Sequence, residues 1–117
     1  MTDRAELLGY AEQVLDGTVS LGVRGPRTAA LLARRAFEDW LDEVSGSWLT
    51  QVVSDRTPTT SSKLVALGAL QGMELGERAK RLWHRLSRAV HHHAYELQPS
   101  AAEVRQLVRQ VRTVSSA

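Results

Sequence analysis

At 117 residues, with 43% hydrophobic and 24% charged content, the chain is long enough for one hydrophobic core and too short for two. The absence of Cys excludes disulfides, thiolate metal sites and Cys nucleophiles. A net charge of only +2, from 15 Lys and Arg against 13 Asp and Glu, excludes a polybasic, histone-like protein. A single domain over residues 1–117 is expected.

The opening Met1-Thr2-Asp3-Arg4-Ala5-Glu6 is charged and has no apolar signal core. No run approaches the roughly 18 apolar residues that cross a bilayer, so a soluble, cytoplasmic chain is expected. Asp3 and Glu6 have the spacing of a capping pair, and Leu7, Leu8, Ala11, Val14 and Leu15 recur at helical period. Gly17 weakens that helix and Gly22 is expected to end it. Gly25-Pro26 starts a second helix, whose stripe is Ala29, Leu32, Ala33, Ala36, Phe37, Trp40, Leu41 and Val44, and Ser45-Gly46-Ser47 is expected to close it. Residues 47–53, with Trp48, read as a short helix or a brief β-like run. Thr57-Pro58-Thr59-Thr60-Ser61-Ser62 reads as a polar, mobile loop, with Thr60, Ser61 or Ser62 capping the helix that carries Leu64, Val65, Leu67 and Leu70. Gln71-Gly72 ends that helix.

A long helix is then expected from about Met73 to about Tyr95, with Ala79, Leu82, Trp83, Leu86, Ala89, Val90 and His93 on one face. Ser100 and Glu103 form a capping box for a last helix with Val104, Leu107, Val108, Val111 and Val114 on its stripe. The fold class is all-α: a helical bundle of four main helices plus a short one. Gly25-Pro26-Arg27 and Gly72-Met73-Glu74-Leu75-Gly76 match no phosphate-binding loop and read as helix breaks. The tryptophans read as packing residues.

Charge is unevenly placed. Residues 1–77 hold 7 basic and 11 acidic side chains, a balance of −4, and residues 78–117 hold 8 basic and 2 acidic, a balance of +6. A basic half is either a footprint for RNA or DNA or a solvated face paired with acidic helices. Thirteen of the fifteen basic residues are Arg, which suits phosphate recognition and equally a GC-rich coding genome. All four His residues, His84, His91, His92 and His93, lie in this half. Three roles are open to them: a metal site, packing and helix-end positions, or catalysis. Successive helical side chains diverge by about 100°, and Glu96 is the one nearby carboxylate, so an intrachain metal site is poorly supplied and no cofactor is expected.

The segment Arg88-Ala89-Val90-His91-His92-His93-Ala94-Tyr95 resembles the signature of HEPN domains. That signature is an Arg followed four to six residues later by a His, at the end of a long helix and before a final one. Arg88 matches the Arg, His93 the His and Tyr95 the following aromatic. The second position, commonly a polar residue, is Ala89. Arg85 with His91 satisfies a looser register of the same pattern. The resemblance covers residues 60–114 by pattern and implies a HEPN-like fold, a homodimer with a shared cleft, and metal-independent RNA cleavage. In that chemistry His93 would be the general base or acid, Arg88 would hold the scissile phosphate, and Tyr95 would bond phosphate or stack on a base.

On an ideal helix Arg88 and His93 point about 140° apart, so unwinding or a second subunit would have to bring them together. Glu77, Arg81, His84, Arg88, His91 and Tyr95 form a polar stripe opposite the apolar one. That stripe, with Arg85, is the expected RNA cleft. The resemblance also implies a toxin or defence role with a cognate antitoxin protein as partner. Two rival readings stand beside it. One is a non-catalytic module that binds nucleic acid or a protein, with Ala89 marking a decayed site. The other is a His-cluster metal protein assembled across a dimer.

Overall fold

The structure, a computed structural model, describes residues 3–49, 59–91 and 98–116. They form five α-helices and a 3-10 turn: α1 (Arg4–Leu15), the turn at Gly22–Arg24, α2 (Gly25–Leu49), α3 (Thr60–Gln71), α4 (Met73–Val90) and α5 (Ala101–Ser116). No strand occurs among the described residues, and no described helix is long and apolar enough to cross a membrane. The all-helical class expected from periodicity is observed.

Helix α2 is the axis of the molecule, and α1, α3, α4 and α5 all pack on it. Its buried face runs Ala29, Ala30, Ala33, Ala36, Phe37, Trp40, Leu41 and Ser45, the spacing of one wide helical stripe. The alanines allow close backbone approach, and the larger side chains fill the space farther along. The expected stop at Ser45-Gly46-Ser47 does not occur. Ser45 is fully buried, and the helix continues to Leu49 because packing of this turn overrides its weak local propensity. The Trp48 side chain and residues 50–58, including the loop residues Thr57 and Pro58, lie outside what the structure describes.

Contacts along the helices set their directions. Gly25 of α2 lies against Val14 of α1, while Arg4 pairs with Asp39 and Glu43, so α1 and α2 are antiparallel. Arg27 reaches Val90 and Arg34 covers the Trp83 ring, so α2 and α4 are antiparallel too. Asp16 with Arg105 and Glu12 with Arg112 give the same relation for α1 and α5. The result is an up-down arrangement of α1, α2, α4 and α5, with α3 packed on α4 and α2.

The ends of α1 and α3 differ from expectation by local chemistry. Asp3 is the N-cap of α1 but makes no side-chain capping bond. The helix stops at Leu15 rather than Gly22, because Gly17 turns to φ 83°, a conformation that only glycine adopts without penalty. Thr59, one residue ahead of the expected candidates, caps α3: its Oγ1 accepts from the Ser62 N–H at 3.1 Å. Thr60, Ser61 and Ser62 are therefore helical.

A single residue, Gly72 at φ 114°, joins α3 to α4. Gly76 is not a break but an interior residue of α4. A Cβ there would stand 2.5 Å from the Gly68 Cα, so the missing side chains let α3 and α4 touch. Helix α5 begins as the sequence predicts, with the Ser100 Oγ accepting from the Glu103 N–H at 3.1 Å. Its whole stripe, Val104, Leu107, Val108, Val111 and Val114, is buried.

Candidate nucleic-acid interface

The basic half of the sequence becomes α4 and α5. Helix α4 ends at Val90, and His91 is already extended with ψ 126°, which corrects the expected end near Tyr95. The reason is a tertiary cap: Arg27 Nε donates to the Val90 carbonyl at 2.8 Å, satisfying one of the acceptors that a helix end leaves open. His92, His93 and Tyr95 lie outside the described residues. Arg88 stands exposed in the last turn of α4. Ala89 is only 6% exposed, so the departure at the second position of the motif is a core contact in this chain.

The outward ridge of α4 divides two grooves, and the expected polar stripe is split between them. On the α5 side, Arg78, Arg81 and Arg85 line a groove with Leu82, Gln110, Thr113 and Val114. No carboxylate lines it among the described residues. Arg85 donates to Gln110 Oε1 at 3.1 Å and to Gln106 Oε1 at 3.4 Å. Arg81 bonds the Glu77 backbone carbonyl at 3.4 Å. On the α3 side, Glu77, Lys80, Trp83 and His84 line a groove of about 610 Å³ with Leu64, Val65, Gly68, Ala69 and Met73. Val65 and Met73 are 74% and 77% exposed. The structure thus brings Arg81 and Arg85 together and places His84 apart from them. Arg88 and His91 sit exposed at the far end of α4.

Two further arginines reach that end, Arg24 from the 3-10 turn and Arg27 from α2. Arg24 and Arg27 line a shallow groove with Thr28, Leu31, Val90 and Gln98. They belong to the acidic half of the sequence, and no spacing argument connects them to the His-bearing segment. Only the antiparallel packing of α2 and α4 does so.

The alternative that basic residues merely pair with acidic helices is right for part of the molecule. Arg105 pairs with Asp16 at 3.3 Å and Arg112 with Glu12 at 2.8 Å. Arg34 pairs with Glu38 at 3.2 Å, and Lys63 pairs with Asp42. Arg4 is hydrogen-bonded to Glu43 and lies beside Asp39, and its pKa is held above the ordinary arginine value. By contrast Arg78, Lys80, Arg81, Arg85 and Arg88 make no ion pair among the described residues. Glu74 and Glu77 lie one turn before Arg78 and Arg81 without closing on them. Among the described residues no three His, Asp or Glu side chains gather as a metal ion would require.

No protein-family model, curated protein or solved structure matches the chain.

Proposed function

We propose that the chain is a HEPN-like, homodimeric endoribonuclease that cleaves RNA without a metal ion. The observation that carries this reading is Arg88: the motif arginine stands exposed in the last turn of α4 and has no carboxylate partner among the described residues, at the entry to the segment that bears His93 and leads into the final helix. Arg88 is also the better candidate of the two registers, because it stands in the last turn of α4 beside the His-bearing segment, whereas Arg85 lines the α4–α5 groove a turn earlier. In the proposed reaction the ribose 2′-oxygen attacks the adjacent phosphorus and the bond to the 5′-oxygen breaks. His93 takes the 2′-OH proton or protonates the leaving oxygen. Arg88 offsets the charge that develops on the phosphoryl oxygens. Exposed Val65, Leu70 and Met73 on the α3–α4 hairpin give a second copy an apolar surface to bury. A toxin or defence role with an antitoxin partner belongs to the same proposal.

The test is incubation of the purified chain with labelled RNA in excess chelator. Cleavage products ending in a 2′,3′-cyclic phosphate are expected, and His93→Ala should slow cleavage about 10²–10⁴-fold with the helical circular-dichroism signal unchanged. Undiminished cutting by that variant, or a metal requirement, overturns the mechanism. The burial of Ala89 favours a second reading, in which the same surface binds nucleic acid without cutting it. Salt-sensitive binding with no cleavage products would select that one.

A further inference from the structure

We infer that the groove between α4 and α5 is a phosphate track, which grips the backbone of a nucleic-acid strand through Arg78, Arg81 and Arg85 and leads it toward Arg88. The inference rests on the nucleic-acid reading above for its ligand and is independent of whether the strand is cut.

Three observations carry it. First, the arginines form a row rather than a cluster. At about 100° and 1.5 Å per residue, Arg78, Arg81 and Arg85 lie within about 60° of one another around α4 and spread over about 10 Å along it. A small anion would be met by side chains converging on one point, whereas a row matches a chain of charges. Arg88 continues the row one turn farther, at the end of α4.

Second, the row is left charged. Among the described residues the groove is lined by three guanidiniums and no carboxylate. Arginines at i, i+3 and i, i+4 repel one another, and none of the three closes an ion pair among the described residues. On α5, by contrast, Arg105 and Arg112 find carboxylate partners at Asp16 and Glu12 on the α1 side.

Third, Arg85 is held in place by neutral groups. The amide oxygens of Gln106 and Gln110 orient its guanidinium without cancelling its charge. A carboxylate in either position would orient it equally well and neutralise it. A guanidinium carries five N–H donors in all, so those not facing the glutamines remain for phosphate oxygens. The row of charge matches the repeat of the phosphodiester backbone rather than any one base. The track therefore recognises the phosphodiester backbone, common to RNA and DNA.

The experiment is fluorescence anisotropy of labelled 12-mers of uridine and of thymidine, titrated with the full chain between 50 and 200 mM salt. Each phosphate contact on a single strand contributes about 0.7 to the slope of log affinity against log salt. Arg78→Gln with Arg81→Gln should lower that slope by about 1.4 and weaken binding about 25-fold at 0.1 M salt. Gln110→Glu should weaken binding while keeping all three arginines, because it neutralises Arg85. A charge-matched control, Arg35→Gln with Lys63→Gln on α2 and α3, should leave the slope within about 0.3 of the parent's. Tighter binding of the uridine strand assigns the track to RNA, and tighter binding of the thymidine strand assigns it to DNA. The inference is overturned if the Arg78/Arg81 variant keeps the parental slope and affinity, or if the control loses as much as it does. His93→Ala separates the two proposals: cleavage lost with binding kept supports both, and cleavage kept removes the mechanism while leaving the track.

Discussion

Helices α4 and α5 carry much of the chain's positive charge side by side, and apart from the exposed Arg109 of α5 the fold treats their arginines differently. On α5, Arg105 and Arg112 close ion pairs onto α1. On α4, Arg78, Arg81, Arg85 and Arg88 close none among the described residues. The difference follows from what each helix packs against. Helix α1 offers Glu12 and Asp16 to α5, whereas α4 docks on α2 through rings and aliphatic side chains. Phe37 stacks on Trp83 at 5.9 Å and meets Trp40 at 5.7 Å, and Arg34 covers the Trp83 ring at 4.6 Å. A helix anchored by apolar contacts does not need its arginines to fold, and so can present them.

The sharpest way to break that contrast is to compare the anchor with the row. Phe37 is fully buried and joins α2 to α4, so Phe37→Ala should lower the unfolding free energy by about 3–5 kcal/mol. Arg78→Gln with Arg81→Gln should change it by less than about 0.5 kcal/mol. Urea denaturation followed by circular dichroism measures both. If the arginine pair costs as much as the ring, α4 is held by its charges and the contrast fails.

A smaller effect tests how α4 carries α3. Gly76→Ala places a methyl 2.5 Å from the Gly68 Cα, and backbone must move to admit it, so a loss of about 1–3 kcal/mol is expected. Gly68→Ala meets the Gly76 Cα at 3.7 Å, an ordinary contact, and should be neutral or gain up to about 1 kcal/mol from helix propensity. Thermal melts of the two variants should therefore move apart. Equal losses would mean that the hairpin is not set by this contact.

Local signals carried the reading of the fold a long way. The α5 stripe, the Ser100 cap and the Gly25-Pro26 start of α2 follow from spacing and capping chemistry within a few residues. What escaped was decided at a distance. The end of α4 depends on Arg27, 63 positions away from Val90, and three consecutive histidines carry no signal of it. Ser45-Gly46-Ser47 resembles a stop, but burial of Ser45 in the core overrides it. The role of Gly76 depends on which residue of α3 it meets. The candidate site was legible as a basic half with a motif at its centre. Which arginines are paired was not, because Arg85 and Arg112 look alike in sequence until α5 is known to show glutamines to one and α1 a glutamate to the other.

The smallest effects give the contrast its most specific test, because they should differ in sign. Arg112 pairs with Glu12 at 2.8 Å, and both side chains are about two-fifths exposed, so solvent screening keeps the pair within about 0.2–1 kcal/mol. Arg112→Gln should lose that much and leave strand binding untouched. Arg81 has like-charged neighbours one turn away at Arg78 and Arg85 against one opposite charge at Glu77, so removing its charge leaves a net relief of at most a few tenths of a kcal/mol. Arg81→Gln should therefore leave the melting temperature level or raise it, while strand affinity falls. High salt sharpens the comparison further. Screening over a Debye length of about 3 Å at 1 M should shrink both stability differences toward zero together, since both are surface charge effects. If Arg81→Gln lowers stability as Arg112→Gln does, the charge on α4 serves the fold, and the contrast between the two helices disappears.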